Sequence, residues 1–367
     1  MDVAPVTGPS ISNRLRVAVG MSGGLDSSVA AALLVEQGHE VIGMTAHLWR
    51  EGSRCCSLED VKRAIRVAEF LKIRHYVIDS VEFFGEMIVH PFVAEYARGR
   101  TPSPCVRCNQ VIKFGVLLRD ALQLGCARLA TGHYARVEKR DGGWHLLRGR
   151  DEAKDQSYFL HRLFQEQLAR VLLPLGTWTK AEAAEYARRT SLPVPFESES
   201  QDLCFIQEDG YVPFLEKRRP DLKKPGAIVD TQGHEVGRHD GFHHFTVGQR
   251  EGLGIAAVAR LYVKEIRPDT NTVVVGTRDD VMSRRCLVED THWISGTPPA
   301  DGAACTVQLR YRHRGAPATL RLREGNRTEV AFDTPEFAVT PGQAAVFYDG
   351  DDVLGGGWIS TEPRADT

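Results

Sequence analysis

Short apolar runs and amphipathic stretches alternate through the first third of the chain. Val17, Ala18 and Val19 read as a buried strand, and residues 29–35 continue as a helix that stops at Gly38. Residues 40–44 read as a second strand. A helix follows in which Val61, Ala64, Ile65, Ala68 and Leu71 recur at helical spacing behind a capping pair, Ser57 and Asp60. Residues 75–79 and 128–131 supply a third and a fourth strand. Between them Pro102 and Pro104 make a stiff loop, with a helix expected from about Val111. Strands spaced by helices build a parallel, doubly wound α/β sheet, whose ligands sit beyond the carboxyl ends of its strands. That rule gathers the loop at residues 20–28, the Met44 to Ala46 segment and Gly132 around one crevice.

After about Glu208 the pattern changes. From Leu261 onward short runs of period two follow one another with polar turns between them, which predicts a small antiparallel barrel. In residues 306–314 this period puts Val307, Leu309 and Tyr311 on one face and Gln308, Arg310 and Arg312 on the other, a basic, aromatic-flanked strand suited to a phosphate backbone or to an ordinary barrel exterior. The expected division is a disordered tail at 1–14, a catalytic domain at 15–207, a small central domain at 208–283 and a C-terminal β-barrel at 284–367.

Composition changes little. At 367 residues, 42% hydrophobic and 26% charged, the chain is long enough for several cored domains. No run has the length of a signal peptide or a membrane span, so a cytoplasmic protein without membrane contact is expected. The net charge of −2 neither advertises nor excludes a polyanionic partner. Eight cysteines in that compartment point to metal or thiol chemistry before structural disulfides.

The chemistry concentrates in a few stretches. Residues 20–28, GMSGGLDSS, lie between a strand and a helix. Gly23 and Gly24 let successive N–H groups line a concavity at the positive helix end, a phosphate cradle without the lysine of a Walker A loop. Ser22, Ser27 and Ser28 add hydroxyls, and Asp26 is placed to cap the helix or to hold a magnesium ion. Cys105 and Cys108 form a CxxC pair ahead of the expected helix, where its dipole, Arg107 and Lys113 favour thiolates. No second CxxC or HxxxH completes a zinc set, and two inert loop thiols are the plain alternative. Cys204 closes an acidic loop. If it reaches Cys108, the two can form a disulfide or pass sulfur between them. His133 follows the fourth strand directly, and Lys154, Asp155 and Gln156 cluster before an apolar helix start, where Asp155 alone would be an N-cap. Thr179 and Glu182 make a capping box that reads as purely structural, the basic run at 217–224 reads as a solvated face, and His243 and His244 lack metal spacing.

SGGLDSS resembles the pyrophosphate loop of the ATP pyrophosphatases. With CCSLED, TPSPCVRCNQVIKF, ATGHYAR, KDQSYFL, SQDLCFI, FTVGQREGLG, QLRYRH and PGQAAVFYDGDDVLGGGWI, the chain from about Arg16 to Ile359 resembles the bacterial and organellar tRNA-specific 2-thiouridylases. The resemblance implies an adenine nucleotide alpha hydrolase-like catalytic domain and ATP- and Mg2+-dependent 2-thiolation of the wobble uridine, U34, of tRNA. It implies ATP contacts at Gly20, Met21, Ser22, Gly23, Gly24, Leu25, Asp26 and Ser27, with Ala46 and Gly132 completing the pocket. Many members have methionine where Ala46 stands, so that contact is through the backbone. Cys108 matches the nucleophile and Cys204 the persulfide carrier. Ser103, Pro104 and Cys105 match the segment that meets the target base, although some members have Asp at the position of Cys105. His133, Lys154, Asp155, Gln156, Arg310, Tyr311 and Gln343 match tRNA-contacting positions. A sulfur donor protein is implied as partner, and the chain is expected to act as a monomer. Three cysteines leave open a [4Fe-4S] cluster on Cys105, Cys108 and Cys204 in place of a persulfide relay. A synthetase adenylating a small metabolite and an RNA-binding scaffold with a vestigial nucleotide loop are the rival readings.

Overall fold

The computed structural model describes residues 14–49, 58–196, 203–206, 209–255 and 259–360. Ser57 of the expected capping pair, most of the expected tail and residues 197–202 of the acidic loop lie outside them.

β1 (Arg16–Gly20), α1 (Leu25–Glu36), β2 (Glu40–His47), α2 (Leu58–Phe70) and β3 (Arg74–Asp79) follow in the expected alternation. α3 (Val81–Phe84) passes through a π-helical turn at Gly85–Val89 into α4 (His90–Ala97), and α5 (Pro104–Cys108) passes through a longer one at Asn109–Leu117 into α6 (Leu118–Gln123). Then come β4 (Arg128–Ala130), a hairpin of β5 (Ala135–Arg140) and β6 (Gly143–Arg148), α7 (Gln165–Leu168), β7 (Val171–Leu172) and α8 (Lys180–Arg189). The parallel sheet has the order β3-β2-β1-β4-β7. Its two faces carry different cores. Val17 and Val19 pack with α1, Ala64, Val67 and Ala187, whereas Ala18, Ile42 and Met44 pack with Phe84, Phe92, Ile112 and Phe114. Cover on both faces is what makes the middle of β1 continuously apolar.

One local expectation fails here. The helix starts at Pro104, not near Val111. Proline at the first helical position forfeits no hydrogen bond and arrives with a helical φ, so Pro104 opens the helix instead of delaying it. Cys105 and Cys108 therefore lie inside its first turns. The hairpin β5–β6 was not foreseen at all.

α9 (Tyr211–Arg218) leads into β8 (Gly226–Val229), β9 (Glu235–His239), β10 (Tyr262–Arg267) and β11 (Thr272–Gly276), a separate sheet of order β10-β11-β8-β9. The alternating runs from Leu261 to Gly276 thus belong to this central sheet and not to the barrel. The barrel is built from β12 (Met282–Trp293), β13 (Ala304–Gln308), β14 (Ala316–Arg323), β15 (Arg327–Phe337), β16 (Ala344–Asp349) and β17 (Asp352–Ile359), in the order β12-β15-β14-β13-β16-β17 and closed by β12 pairing with β17. β13 ends at Gln308, so the expected alternation does not run on to Arg312: Leu309 is buried and the next residues turn. The hairpin touches the barrel where Leu147 of β6 pairs with Asp352 of β17 and the Arg148 N–H donates to the Asp351 carbonyl at 2.9 Å. No helix among the described residues is long and apolar enough to cross a membrane.

Candidate functional site

The loop after β1 is held from both ends. The Met21 N–H donates to the Met44 carbonyl at 2.8 Å and the Met21 carbonyl accepts from Thr45 Oγ1 at 2.7 Å, so Met21 is a buried anchor on β2. Gly23 has φ +73°, and a Cβ there would collide with the Asp60 carbonyl and with Cβ of Arg63, 2.9 Å away. The N-cap of α1 is Gly24, with no side-chain cap, which leaves the first-turn N–H groups for a ligand. Asp26 does not cap. Its carboxylate accepts from Tyr134 Oη at 2.8 Å and from Lys180 Nζ at 2.8 Å on each oxygen. Gly132 seats this helix start closely, since a Cβ on it would lie 2.6 Å from both the carbonyl carbon of Asp26 and the nitrogen of Ser27.

A cavity of about 2830 Å³ opens from this loop and reaches Cys105, Cys108 and Cys204. Cys105 is exposed, and Cys108 and Cys204 are half-buried. Cys204 is fixed from behind by Phe205, whose buried ring meets Phe92 at 5.1 Å, Phe214 at 5.4 Å and Phe84 at 5.6 Å between centroids. The helix bearing Cys108 is tied to the segment after β6 by Asn109 Nδ2, which donates to the Phe159 carbonyl at 3.2 Å.

His133 is buried on the cavity wall. Burial, and then the nearby Lys113 ammonium, hold its imidazolium far below the ordinary histidine range, so the ring is neutral near pH 7. Lys113 Nζ lies 3.4 Å from Nε2, and Nδ1 is 2.7 Å from Thr131 Oγ1; with Lys113 as donor, the proton is on Nδ1. Asp155 is filled from within. It accepts the N–H groups of Gly149 and Ser157 at 2.9 and 3.1 Å, Ser157 Oγ at 2.8 Å and Arg148 Nη1 at 3.2 Å. Gln156 Oε1 accepts the Tyr134 N–H at 3.1 Å. From the barrel, the Tyr311 ring lies 4.5 Å from that of Phe159, and Gln343 Nε2 donates to the Thr101 carbonyl at 2.9 Å.

Comparison with known proteins matches the three parts in turn. The family model described as the tRNA methyl transferase HUP domain covers residues 15–208, the tRNA methyl transferase PRC-barrel domain residues 213–277, and the aminomethyltransferase beta-barrel domain residues 283–359. The chain is 49% identical over 358 residues to the tRNA-specific 2-thiouridylase MnmA of Geobacter metallireducens, covering 94% of this chain and 97% of the relative. It is 49% identical over 360 residues to the protein of that name from Geotalea uraniireducens, covering 95% and 96%. The chain belongs to the tRNA-specific 2-thiouridylase family. A 4-thiouridine synthetase–RNA complex with bound ATP is similar at 17% identity and a TM-score of 0.33, covering 56% of this chain and 51% of that one, too distant to bear on function.

Of the residues that the family resemblance singles out, Ser22, Gly24, Leu25, Asp26, Pro104, Cys105, Cys108, His133, Lys154, Asp155, Gln156, Cys204, Arg310, Tyr311 and Gln343 line the one cavity. Gly20, Met21, Gly23, Ser27 and Gly132 shape the loop from behind, Ala46 is buried in β2, and Ser103 faces a separate, smaller cavity. Two wall residues escaped sequence reasoning. Tyr134 sits inside the quoted ATGHYAR stretch without a role, and Lys180 opens α8 behind the Thr179–Glu182 capping box. That box forms as expected, and the helix it caps carries Lys180 to the carboxylate of Asp26.

Proposed function

We propose that this tRNA-uridine 2-sulfurtransferase works by adenylating O2 of the wobble uridine, U34, and displacing the adenylate with sulfur carried on an enzyme cysteine. ATP lies with its pyrophosphate against the first-turn N–H groups of α1 and the hydroxyls of Ser22 and Ser27, and Lys180 supplies positive charge beside the leaving phosphates. The acidic oxygens of Asp26 suit a hard cation, and this residue would hold a magnesium ion, which offsets phosphate charge when bound. O2 of the base attacks the α-phosphorus and pyrophosphate leaves.

A persulfide on Cys204, loaded by a sulfur donor protein, then attacks C2 through its outer sulfur, and AMP departs. Cys108 thiolate attacks Cys204 Sγ, the S–S bond to the transferred sulfur breaks, and 2-thiouridine leaves with a Cys108–Cys204 disulfide behind it. External thiol reduces that disulfide. The tRNA lies across Arg310, Tyr311 and Gln343, with the base entering near Pro104 and Cys105. The observation that carries this reading is the single cavity shared by the phosphate loop, both thiols and these barrel residues.

The test is ATP- and persulfide-dependent thiolation of unmodified tRNA, read as retardation on a mercury-containing gel. Wild type retards the tRNA, and Cys108→Ser and Cys204→Ser do not. Pyrophosphate release with a small metabolite and no tRNA product would sink the assignment. Stoichiometric iron and sulfide in active protein purified anaerobically would replace the persulfide route by a cluster on Cys105, Cys108 and Cys204.

A further inference from the structure

Outside the catalytic cavity, three potential ligands converge on the central sheet. Glu216 projects from α9, while His243 and His244 lie on the short turn after β9, and one ligand atom from each falls within 4.8 Å of the others. Adjacent histidines cannot both face one side of a strand or a helix. Here a turn of 3₁₀ helix at Phe242–His244 brings them together, with ring centroids 4.4 Å apart and planes at 79°.

His243 is the unexplained member. It is 1% exposed, and neither ring nitrogen has a hydrogen-bond partner of acceptable geometry. A buried imidazole left in that condition costs free energy unless something accepts its lone pair. Its Nε2 lies 3.4 Å from Glu216 Oε1, and Nε2 of His244 lies 3.1 Å from the same oxygen. Ligands about 2.0–2.1 Å from a tetrahedral centre are about 3.3 Å apart, so both separations, the second of which is also a hydrogen bond, are compatible with donors around one ion. The surroundings are built for that ring. A Cβ at Gly241 would collide with Cε1 of His243, and Tyr211 Oη donates to the His244 carbonyl at 3.2 Å, holding the turn on α9. Lys223 Nζ stays on the far carboxylate oxygen, 3.2 Å from Oε2.

We propose that Glu216, His243 and His244 bind one divalent transition-metal ion of the zinc type, with the fourth position open to water. Two imidazoles and one carboxylate are a donor set for such an ion, not for calcium or magnesium. The ion staples α9 to the turn after β9. Phe214 of the same helix packs on Phe205, the neighbour of Cys204, so the staple steadies the floor beneath the sulfur-carrying loop.

The experiment titrates Co2+ into the full chain, free of any affinity tag, after its thiols are blocked with iodoacetamide. Stoichiometry is read by equilibrium dialysis and geometry from the ligand-field spectrum. One ion per chain with the intense visible bands of a tetrahedral site is expected. Glu216→Gln and His244→Ala should each weaken binding by about 100-fold or more, since even outer neighbours of a metal site cost 10–100-fold. His244 is part-exposed, so circular dichroism of metal-free His244→Ala confirms its fold if Glu216→Gln does not fold. Absence of stoichiometric uptake, or uptake unchanged in His244→Ala, overturns the site.

Discussion

Lys180 Nζ sits 2.8 Å from both carboxylate oxygens of Asp26, joining the first turn of α8 to the first turn of α1. The ion pair is partly exposed, so its worth to folding is at most about 1 kcal/mol. Its position is the more telling property, because on the proposed reading a cation and a carboxylate stand beside the triphosphate. Lys180→Ala should lower kcat/KM for ATP-dependent pyrophosphate release by about 100-fold, in the range found when one preorganised charge-stabilising group is removed. The unfolding midpoint should move little. A large loss of stability with unchanged kinetics would assign Lys180 to the scaffold alone.

Gly132→Ala tests the close approach at the phosphate loop. Its added Cβ would stand 2.6 Å from backbone atoms of Asp26 and Ser27, so either strand or loop must shift. Overpacking of this kind costs about 1–3 kcal/mol. The KM for ATP should rise while the reactivity of Cys108 towards iodoacetamide stays at the wild-type rate. An unchanged KM would show that the loop absorbs the methyl group.

Phe205→Ala removes the ring that backs Cys204. It is buried among Phe84, Phe92 and Phe214, and truncation of such a ring costs about 3–5 kcal/mol. Thiolation should fall further than pyrophosphate release, because Cys204 loses its placement while the nucleotide loop keeps its own. Equal losses in both assays would contradict a positioning role.

Buried histidines set the acid limb of stability. Burial pushes His161 down to about 3, and His133 is also held well below the ordinary value. Both are neutral in the fold and protonate near pH 6.5 once unfolded. Their contribution is therefore complete above pH 6.5 and is lost as pH falls below it, for His161 down towards 3, by up to about 1.4 kcal/mol per unit for each ring. Urea unfolding of wild type at pH 7.5, 6 and 5 should show that decline, and His161→Gln should show a shallower one. Parallel curves would refute the assignment to His161.

The phosphate loop was legible because its signal is local: glycines, serines and an acidic residue follow one strand within a few positions. Lys180 was not, because it meets Asp26 across 154 residues and carries no mark in its own helix beyond an ordinary capping box. The central sheet and the barrel share one period, and what separates them is pairing. β11 joins β8, far upstream, and no count of alternating positions shows this. Pro104 read as loop because a proline can end a segment or open a helix, and only the first-turn geometry decides. His243 and His244 lack metal spacing along the chain, and what brings them within 4.8 Å of Glu216 is a turn that folds neighbours onto a residue from another element.

The hairpin β5–β6 has a wider consequence. One strand pairing and one backbone hydrogen bond join it to the barrel. Arg136 pairs with Asp351, and both Arg140 and His145 pair with Asp352. The N-terminal domain thus lends the barrel part of its wall. The unit that can be exchanged between relatives, or cut away without leaving a raw edge, is not the barrel but barrel and hairpin together, and a chimera joined at the interdomain boundaries alone should inherit a mismatched seam.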